Sequence, residues 1–171
     1  YSGGLKPLAV PQSEILIGTQ LGMDVVLAHP KGFELEDVVL DAAKANADRY
    51  GGMFSVVNDM KSAFEGADVV YPKAWSPKNF FPPHSNSVDK SSATAYQDKF
   101  KDWICTQELM DLTKKGKYMH CGPADRGQEV TDDVIDNANY SLYFEEAENR
   151  LHVQKAVMAL VMGDRSPRRR S

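Results

Sequence analysis

Hydrophobic and polar positions alternate along this chain between helical and extended spacing. A partial apolar stripe begins at Pro11 and stops at Gly22, which predicts a helix over residues 11–21. Helical spacing also covers residues 35–50, and it returns in a longer segment at 145–162. We therefore expect three main helices, each with one face buried against the rest of the molecule.

Short apolar runs between the helical segments predict strands. They lie at residues 23–29, 54–57, 68–71 and 118–121. Continuous apolar runs are typical of strands covered on both faces, as in a parallel sheet between two helix layers. The alternation predicts an α/β fold: a three-layer, doubly wound domain with a mostly parallel sheet. A chain of 171 residues can form one such core, so one domain is expected.

Local signals predict several shorter helices. Asp59 is a suitable cap for a helix that ends near Gly66, and Thr106 is a suitable cap for one that runs to Lys115. Further short helices are predicted at residues 93–101 and from Thr131 onward. These segments link the predicted strands without adding a second core.

Composition places the chain among ordinary globular domains, with 42% hydrophobic and 26% charged residues. No apolar run reaches the roughly 18 residues that span a membrane, and the opening residues lack signal-peptide character. Two cysteines, Cys105 and Cys121, are expected as free thiols. Together these features predict a cytoplasmic protein without membrane partners. The net charge of −4 disfavours nucleic acid, and the basic residues of 164–171 are expected to form a solvated tail.

The predicted sheet also indicates where a ligand would bind. In open parallel sheets the ligand lies beyond the carboxyl ends of the strands. Three loops leave such ends, after His29, after Tyr71 and after Cys121. We expect the site where these loops meet.

The segment His120-Cys121-Gly122-Pro123 places an imidazole and a thiol at a predicted strand end. Adjacent strand residues point to opposite faces, which disfavours a hydrolytic Cys–His pair. Two cysteines and four histidines show no zinc-ligand spacing, so no metal is expected. A purely structural interpretation is also open, in which Cys121 is a small buried hydrophobe and His120 a satisfied polar group.

Neither end of the chain carries a strong motif of its own. Gly3 and Gly4 lack the third spaced glycine of a dinucleotide fingerprint, so no nicotinamide cofactor is expected. Near the other end, Arg150 lies one turn inside a helix that opens with acidic residues. Its guanidinium could form a surface salt bridge or reach the ligand crevice.

Several separate motifs resemble those of the carbamoyltransferase family. Tyr-Met-His-Cys-Gly-Pro-Ala-Asp-Arg at 118–126, the segment 129–134 and Glu-Ala-Glu-Asn-Arg at 146–150 match the order and spacing of the family's His-Cys-Leu-Pro motif and closing helix. The opening residues are similar to the start of its second, amino-substrate domain, particularly in the acetylornithine type. The resemblance covers residues 1–163 and implies the amino-substrate domain of the aspartate/ornithine carbamoyltransferase superfamily.

The resemblance implies transfer of a carbamoyl group between carbamoyl phosphate and an amine, an amino acid or derivative. Cys121 and Arg150 match the family's catalytic positions, with the arginine near carbamoyl phosphate. Gly122 stands where the family has leucine, which keeps the main-chain carbonyl and removes a bulky wall. His120 and Pro123 belong to the same substrate-binding motif.

A second departure lies in Pro72-Lys73-Ala74-Trp75, where ornithine enzymes carry an aspartate before tryptophan. Lysine in place of a carboxylate reverses the local charge and favours an acidic or amino-blocked substrate. Lys73 and Trp75 are therefore predicted to be substrate-binding residues.

Further features are implied that these 171 residues do not contain. The carbamoyl-phosphate domain and the first strand of the sheet are expected to be missing, so the chain alone is expected to be inactive. The resemblance also implies a homotrimer and a rigid, knotted loop at the Pro-rich residues 76–83. The alternative function is that of a non-catalytic ligand-binding or regulatory α/β domain.

Overall fold

A computed structural model of the chain describes residues 1–80 and 90–163. The predicted tail at 164–171 and residues 81–83 of the predicted knotted loop therefore lie outside the described residues. The main elements, in chain order, are α1 (Ala9–Gln20), β1 (Val25–Ala28), α2 (Asp37–Tyr50), β2 (Phe54–Val57), α3 (Met60–Phe64), β3 (Val69–Val70), α4 (Lys90–Gln97), α5 (Gln107–Met110), β4 (Lys117–Tyr118), α6 (Asp132–Ile135) and α7 (Tyr143–Met162).

The order of helices and strands confirms the predicted α/β alternation. Local sequence explains several boundaries. Gly51 adopts a left-handed conformation, with φ of 82°, and ends α2. The Asp59 carboxylate accepts a 2.8 Å hydrogen bond from the Ser62 backbone N–H and caps α3 as predicted.

Two predicted elements are shorter in the structure. β4 ends at Tyr118, so His120 and Cys121 lie in the following loop rather than at the strand end. α5 ends at Met110 instead of continuing to Lys115. The Thr113 hydroxyl explains this end, because it donates to the Met110 carbonyl at 2.6 Å and accepts from the Gly116 N–H at 2.8 Å. Such side-chain bonds compete with the continuation of the helix.

The described strands form two parallel pairs. β1 pairs with β2, and β3 pairs with β4. Tyr1 and Ser2 lie between the pairs: the Tyr1 amino group donates to the Ala28 carbonyl, and the Ser2 N–H donates to the Lys73 carbonyl at 2.9 Å. A groove of about 360 Å³ separates β1 from β3. The expected first strand stays a prediction.

Two core clusters hold the domain together. One packs Ile15 of α1, Leu27 of β1 and Ala43 of α2 with the aromatic rings of Phe33 and Trp75. The other joins β3 and β4 to the short helices α3, α5 and α6. Burial of these side chains in place of contact with water is the main stabilising contribution.

Two predictions about burial are wrong for the described residues. The strands were expected to be covered on both faces, yet Val26 of β1 is 46% exposed and Val69 of β3 is 42% exposed. α7 was expected to bury a stripe that includes Leu151 and Met158, yet none of its residues is buried. Both sets of apolar side chains face space that no described residue fills.

Candidate functional site

Three loops that leave the strand ends meet, as the sequence predicts. The loop after β1 reaches the loop after β3, because the Trp75 indole N–H donates to the Phe33 carbonyl at 2.8 Å. The loop after β3 reaches the loop after β4, because Lys73 Nζ lies 3.3 Å from His120 Nε2. The candidate site is therefore formed where these three loops contact one another.

A single carboxylate, that of Glu129, lies at the centre of this contact. The residue is fully buried, and its two oxygens accept hydrogen bonds from five donors. The donors to Oε1 are Lys73 Nζ at 2.7 Å and the Ala74 N–H at 2.8 Å. The donors to Oε2 are the Asp125 N–H at 2.8 Å, His120 Nε2 at 3.2 Å and Lys6 Nζ at 3.2 Å. Glu129 thus connects the start of the chain to the loops after β3 and β4.

These contacts set the charge state of Glu129. Burial alone would raise the pKa of its carboxyl group, since burial penalises the ionised form. Hydrogen bonds from His120, Lys73 and the backbone amides of Asp125 and Ala74 outweigh burial and hold the pKa well below its ordinary value. Glu129 is therefore an anion at neutral pH.

The two predicted substrate-binding residues of the β3 loop are buried beneath the site. Lys73 is 6% exposed and forms its ion pair with Glu129, so its positive charge is neutralised within the protein. Trp75 is 1% exposed and packs edge-on against Tyr1, with ring centroids 5.3 Å apart. The charge reversal expected from Lys73 is thus compensated by a residue distant in sequence.

His120 is 1% exposed and connects the buried carboxylate to the turn that follows it. Its Nδ1 accepts a 2.9 Å hydrogen bond from the Gly122 backbone N–H. Its ring also stacks on Tyr71, with centroids 6.2 Å apart. His120 is therefore fixed on both ring nitrogens and on one face.

Cys121, Gly122 and Pro123 form the accessible part of the site. Cys121 is a partly exposed free thiol, and Pro123 is exposed. Gly122 has φ of 63°, a left-handed conformation that side chains disfavour, and the Gly122–Pro123 peptide bond is cis. A Cβ atom at Gly122 would stand 3.1 Å from the Tyr143 hydroxyl. The first turn of α7 therefore flanks this turn closely.

A hydrogen bond ties α7 to the loop after β3. The Tyr71 hydroxyl donates to Glu146 Oε1 at 2.7 Å. Burial and this carboxylate raise the pKa of Tyr71, and burial together with the charge of Glu146 raises the pKa of Glu14. The start of α7 is thus anchored beside the site.

The two predicted catalytic residues, Cys121 and Arg150, occupy different positions relative to this anchor. Cys121 lies in the turn itself. Arg150 lies on α7, about 10 Å along the helix axis from Tyr143 at a rise of roughly 1.5 Å per residue. Its side chain is exposed and forms no ion pair with any residue of the described ranges. The first turn of α7, at Tyr143, lies against the Cys121 turn, whereas the Arg150 guanidinium does not.

Sequence reasoning missed Glu129 as a site residue, and it missed Lys6 and Tyr71. The sequence did contain a signal for Glu129. Lys73 follows a strand that is predicted to be buried, and a buried lysine requires an opposite charge nearby. Nothing local identifies which of the chain's 24 acidic residues supplies it.

Neither a metal cluster nor a membrane span is found within residues 1–80 and 90–163. No group of three or more His, Cys, Asp or Glu side chains in these ranges could hold a metal ion. In the same ranges, no helix is both long and apolar enough to cross a bilayer.

This chain spans about half the length of the known proteins that are similar to it in sequence. The anabolic ornithine carbamoyltransferase of Pyrococcus furiosus is 41% identical over 155 residues, which are 90% of this chain and 46% of the relative. The N-acetylornithine carbamoyltransferase of Xanthomonas campestris pv. campestris is 39% identical over 165 residues, 95% of this chain and 47% of the relative.

Solved structures of the same kind of protein share the fold. Acetylornithine transcarbamylase complexed with acetylcitrulline has a TM-score of 0.82 at 38% identity, over 91% of this chain and 46% of that one. A mutant N-acetyl-L-ornithine transcarbamylase complexed with carbamyl phosphate and N-succinyl-L-norvaline has a TM-score of 0.84 at 36% identity, over 94% and 47%. These similarities confirm the predicted α/β fold class.

A family model provides the most specific assignment. The model for aspartate/ornithine carbamoyltransferase, Asp/Orn binding domain, matches residues 7–161, which is most of the chain. This match agrees with the motifs at the His120 turn and in α7. The chain therefore belongs to the aspartate/ornithine carbamoyltransferase family and contains its Asp/Orn binding domain.

Proposed function

We propose that this chain supplies the amino-substrate half of a carbamoyltransferase active site. In the proposed reaction an amine nitrogen attacks the carbonyl carbon of carbamoyl phosphate and forms a C–N bond. The C–O bond to phosphate breaks, phosphate leaves with the electron pair, and the amine gives up a proton. The observation that carries this proposal is the meeting of three strand-end loops at a turn matching the family motif.

The accessible turn provides the contacts that we assign to substrate. Cys121 and the main chain of Gly122 would line the space between the two substrates, with Pro123 at its edge. Carbamoyl transfer develops negative charge on oxygen, and groups already held in position stabilise such charge most effectively. Arg150 would supply the cation near carbamoyl phosphate. Its exposure and lack of an ion pair in the described ranges leave it available for that role.

The buried residues would act by supporting this turn. Lys73 and Trp75 contribute from beneath the site, since each is at most 6% exposed. The neutralised charge of Lys73 favours a substrate recognised by shape and hydrogen bonds over one recognised by net charge. Acylated amino acids bound to the similar structures support an amino-acid derivative as the amine substrate.

We also propose that protein surface outside these 171 residues supplies the rest of the carbamoyl phosphate site beside Arg150. Support comes from α7, whose large apolar side chains are exposed, including Phe144 at 75% and Leu151 at 59%. Several large apolar side chains exposed on one helix usually mark a contact with further protein. A second domain, a homotrimer completed across subunits, the knotted loop and a cytoplasmic location all belong to this proposal.

The proposal is tested by an assay of the full-length protein that carries this domain. Phosphate release from carbamoyl phosphate would be measured with ornithine, N-acetylornithine, N-succinylornithine and aspartate in turn. We expect one amine to support turnover, and we expect Arg150→Ala to reduce it by about a hundredfold or more. Arg126→Ala is the matched control, because Arg126 is exposed and forms ion pairs with Asp132 and Asp136.

The same assay distinguishes the alternative function. Saturable binding of an amine without any amine-dependent phosphate release would support a non-catalytic ligand-binding or regulatory domain. Equal activity of Arg150→Ala and Arg126→Ala would remove Arg150 from the proposed site.

A further inference from the structure

We propose that Glu129 is a positioning residue, which acts through His120 to fix the Cys121–Gly122 peptide before any ligand binds. The first link is the contact between Glu129 Oε2 and His120 Nε2 at 3.2 Å. Both residues are at most 1% exposed, so water does not compete for this contact. The link is therefore part of the unliganded protein.

The second link fixes the tautomer of His120. A backbone N–H can only donate, so the Gly122 N–H at 2.9 Å requires His120 Nδ1 to be an unprotonated acceptor. The ring proton of the neutral imidazole must then lie on Nε2, where it is donated to Glu129. Lys73 Nζ, although 3.3 Å from Nε2, finds no free lone pair there and donates to Glu129 Oε1 instead.

This arrangement makes the carboxylate the group that selects the tautomer. Without an anionic acceptor at Glu129, the Lys73 ammonium would be the nearest partner of His120 Nε2. An ammonium group donates only, so Nε2 would become the acceptor and the proton would move to Nδ1. Two donors would then face each other at His120 Nδ1 and the Gly122 N–H, and that hydrogen bond would be lost.

The third link carries the effect to the accessible turn. The Gly122 N–H and the Cys121 carbonyl belong to one rigid peptide plane and point in opposite directions. When His120 holds the N–H, the Cys121 carbonyl is directed away from the imidazole. Gly122, with φ of 63°, permits this orientation. Glu129 thus sets the direction of a main-chain group in the proposed substrate pocket, and this consequence rests on the proposed function.

A matched pair of variants separates positioning from general stabilisation. Glu129→Met removes the anion together with every side-chain hydrogen-bond acceptor at this position, and it leaves Lys73 beside His120. Lys73→Met breaks the same ion pair but keeps the Glu129–His120 link. The ring nitrogens of His120 and the exchange rate of the Gly122 amide would be followed by ¹⁵N NMR in the full-length protein that carries this domain. His152, which is exposed on α7, is the internal control.

We expect the wild-type protein and Lys73→Met to show a proton on Nε2 and a protected Gly122 amide. We expect Glu129→Met to move the proton to Nδ1 and to speed Gly122 exchange by about tenfold or more. A proton on Nδ1 in the wild-type protein, or the same spectra for both variants, would overturn the proposal.

Two variants of His120 keep the test decisive if Glu129→Met does not fold. His120→Asn retains an acceptor near the Nδ1 position, whereas His120→Gln retains a donor near the Nε2 position. We expect Gly122 protection to survive in His120→Asn and to be lost in His120→Gln, and the reverse order would contradict the relay. None of these measurements requires substrate, so they stand or fall independently of carbamoyl transfer.

Discussion

Replacing Glu129 with glutamine would leave the ammonium group of Lys73 buried without an opposite charge. Lys73 is 6% exposed and its Nζ lies 2.7 Å from Glu129 Oε1, so water cannot readily take the place of the carboxylate. Removing one partner of a buried ion pair costs about 3–5 kcal/mol. We expect the free energy of unfolding to fall by about that amount, a large part of the roughly 5–15 kcal/mol typical of a domain.

The double variant Glu129→Gln/Lys73→Met gives the prediction its sharpest form. It removes both charges, so no ammonium group at position 73 remains buried without an opposite charge. We therefore expect the double variant to be more stable than Glu129→Gln alone, with a coupling energy of about 2 kcal/mol or more. Lys6→Met is the control, since the Lys6 side chain is 24% exposed and also pairs with Asp125.

Urea unfolding at pH 7, followed by circular dichroism, measures the free energy of unfolding of the wild type, the two single variants, the double variant and the Lys6→Met control. A cost below about 1 kcal/mol for Glu129→Gln, or a double variant whose cost equals the sum of the singles, would refute the reasoning. The pH dependence adds a check. The pKa of Glu129 is lower in the folded protein than its value of 4.5 in the unfolded chain. The ionised carboxylate therefore stabilises the fold above pH 4.5, and this contribution is lost as the pH falls through the pKa of the folded protein. Glu129→Gln should lack that acid-dependent loss.

Two further predictions concern the core and the turn. Leu27→Ala, at a buried site, should lower the free energy of unfolding in urea by about 2–5 kcal/mol, whereas Leu151→Ala should lower it by less than about 0.5 kcal/mol. Similar losses for the two variants would contradict the burial described above. Gly122→Ala should lower the melting temperature more than Gly127→Ala, because both glycines have left-handed φ but only Gly122 also faces a tyrosine hydroxyl; the opposite order would count against the crowded turn.

Much of the fold could be predicted because its boundaries depend on local chemistry. Gly51 and Asp59 act within their own helix ends, and the sequence around each predicts its role. The end of α5 could not be predicted from apolar spacing, since it depends on hydrogen bonds of the Thr113 hydroxyl. The α7 pattern correctly predicts a helix with apolar side chains, but spacing cannot identify what covers them.

The location of the candidate site could be predicted from the sequence, but its hydrogen bonds and ion pairs could not. The strand-end rule and the family motif locate the turn at Cys121 and the loop at Lys73. The Glu129 network could not be found in this way, because its partners Lys6, Lys73 and His120 are 123, 56 and 9 residues away along the chain. Only folding brings these charges together, so the neutralisation of Lys73 is a property of tertiary structure.

The most direct test of the central claim follows the carbamoyl carbon itself. The full-length protein that carries this domain would be incubated with ¹³C-carbamoyl phosphate and the amine that best supports phosphate release. We predict that the label appears on the amine nitrogen of the product, with one phosphate released for each carbamoyl group transferred. Phosphate release that leaves every tested amine unlabelled would contradict the account.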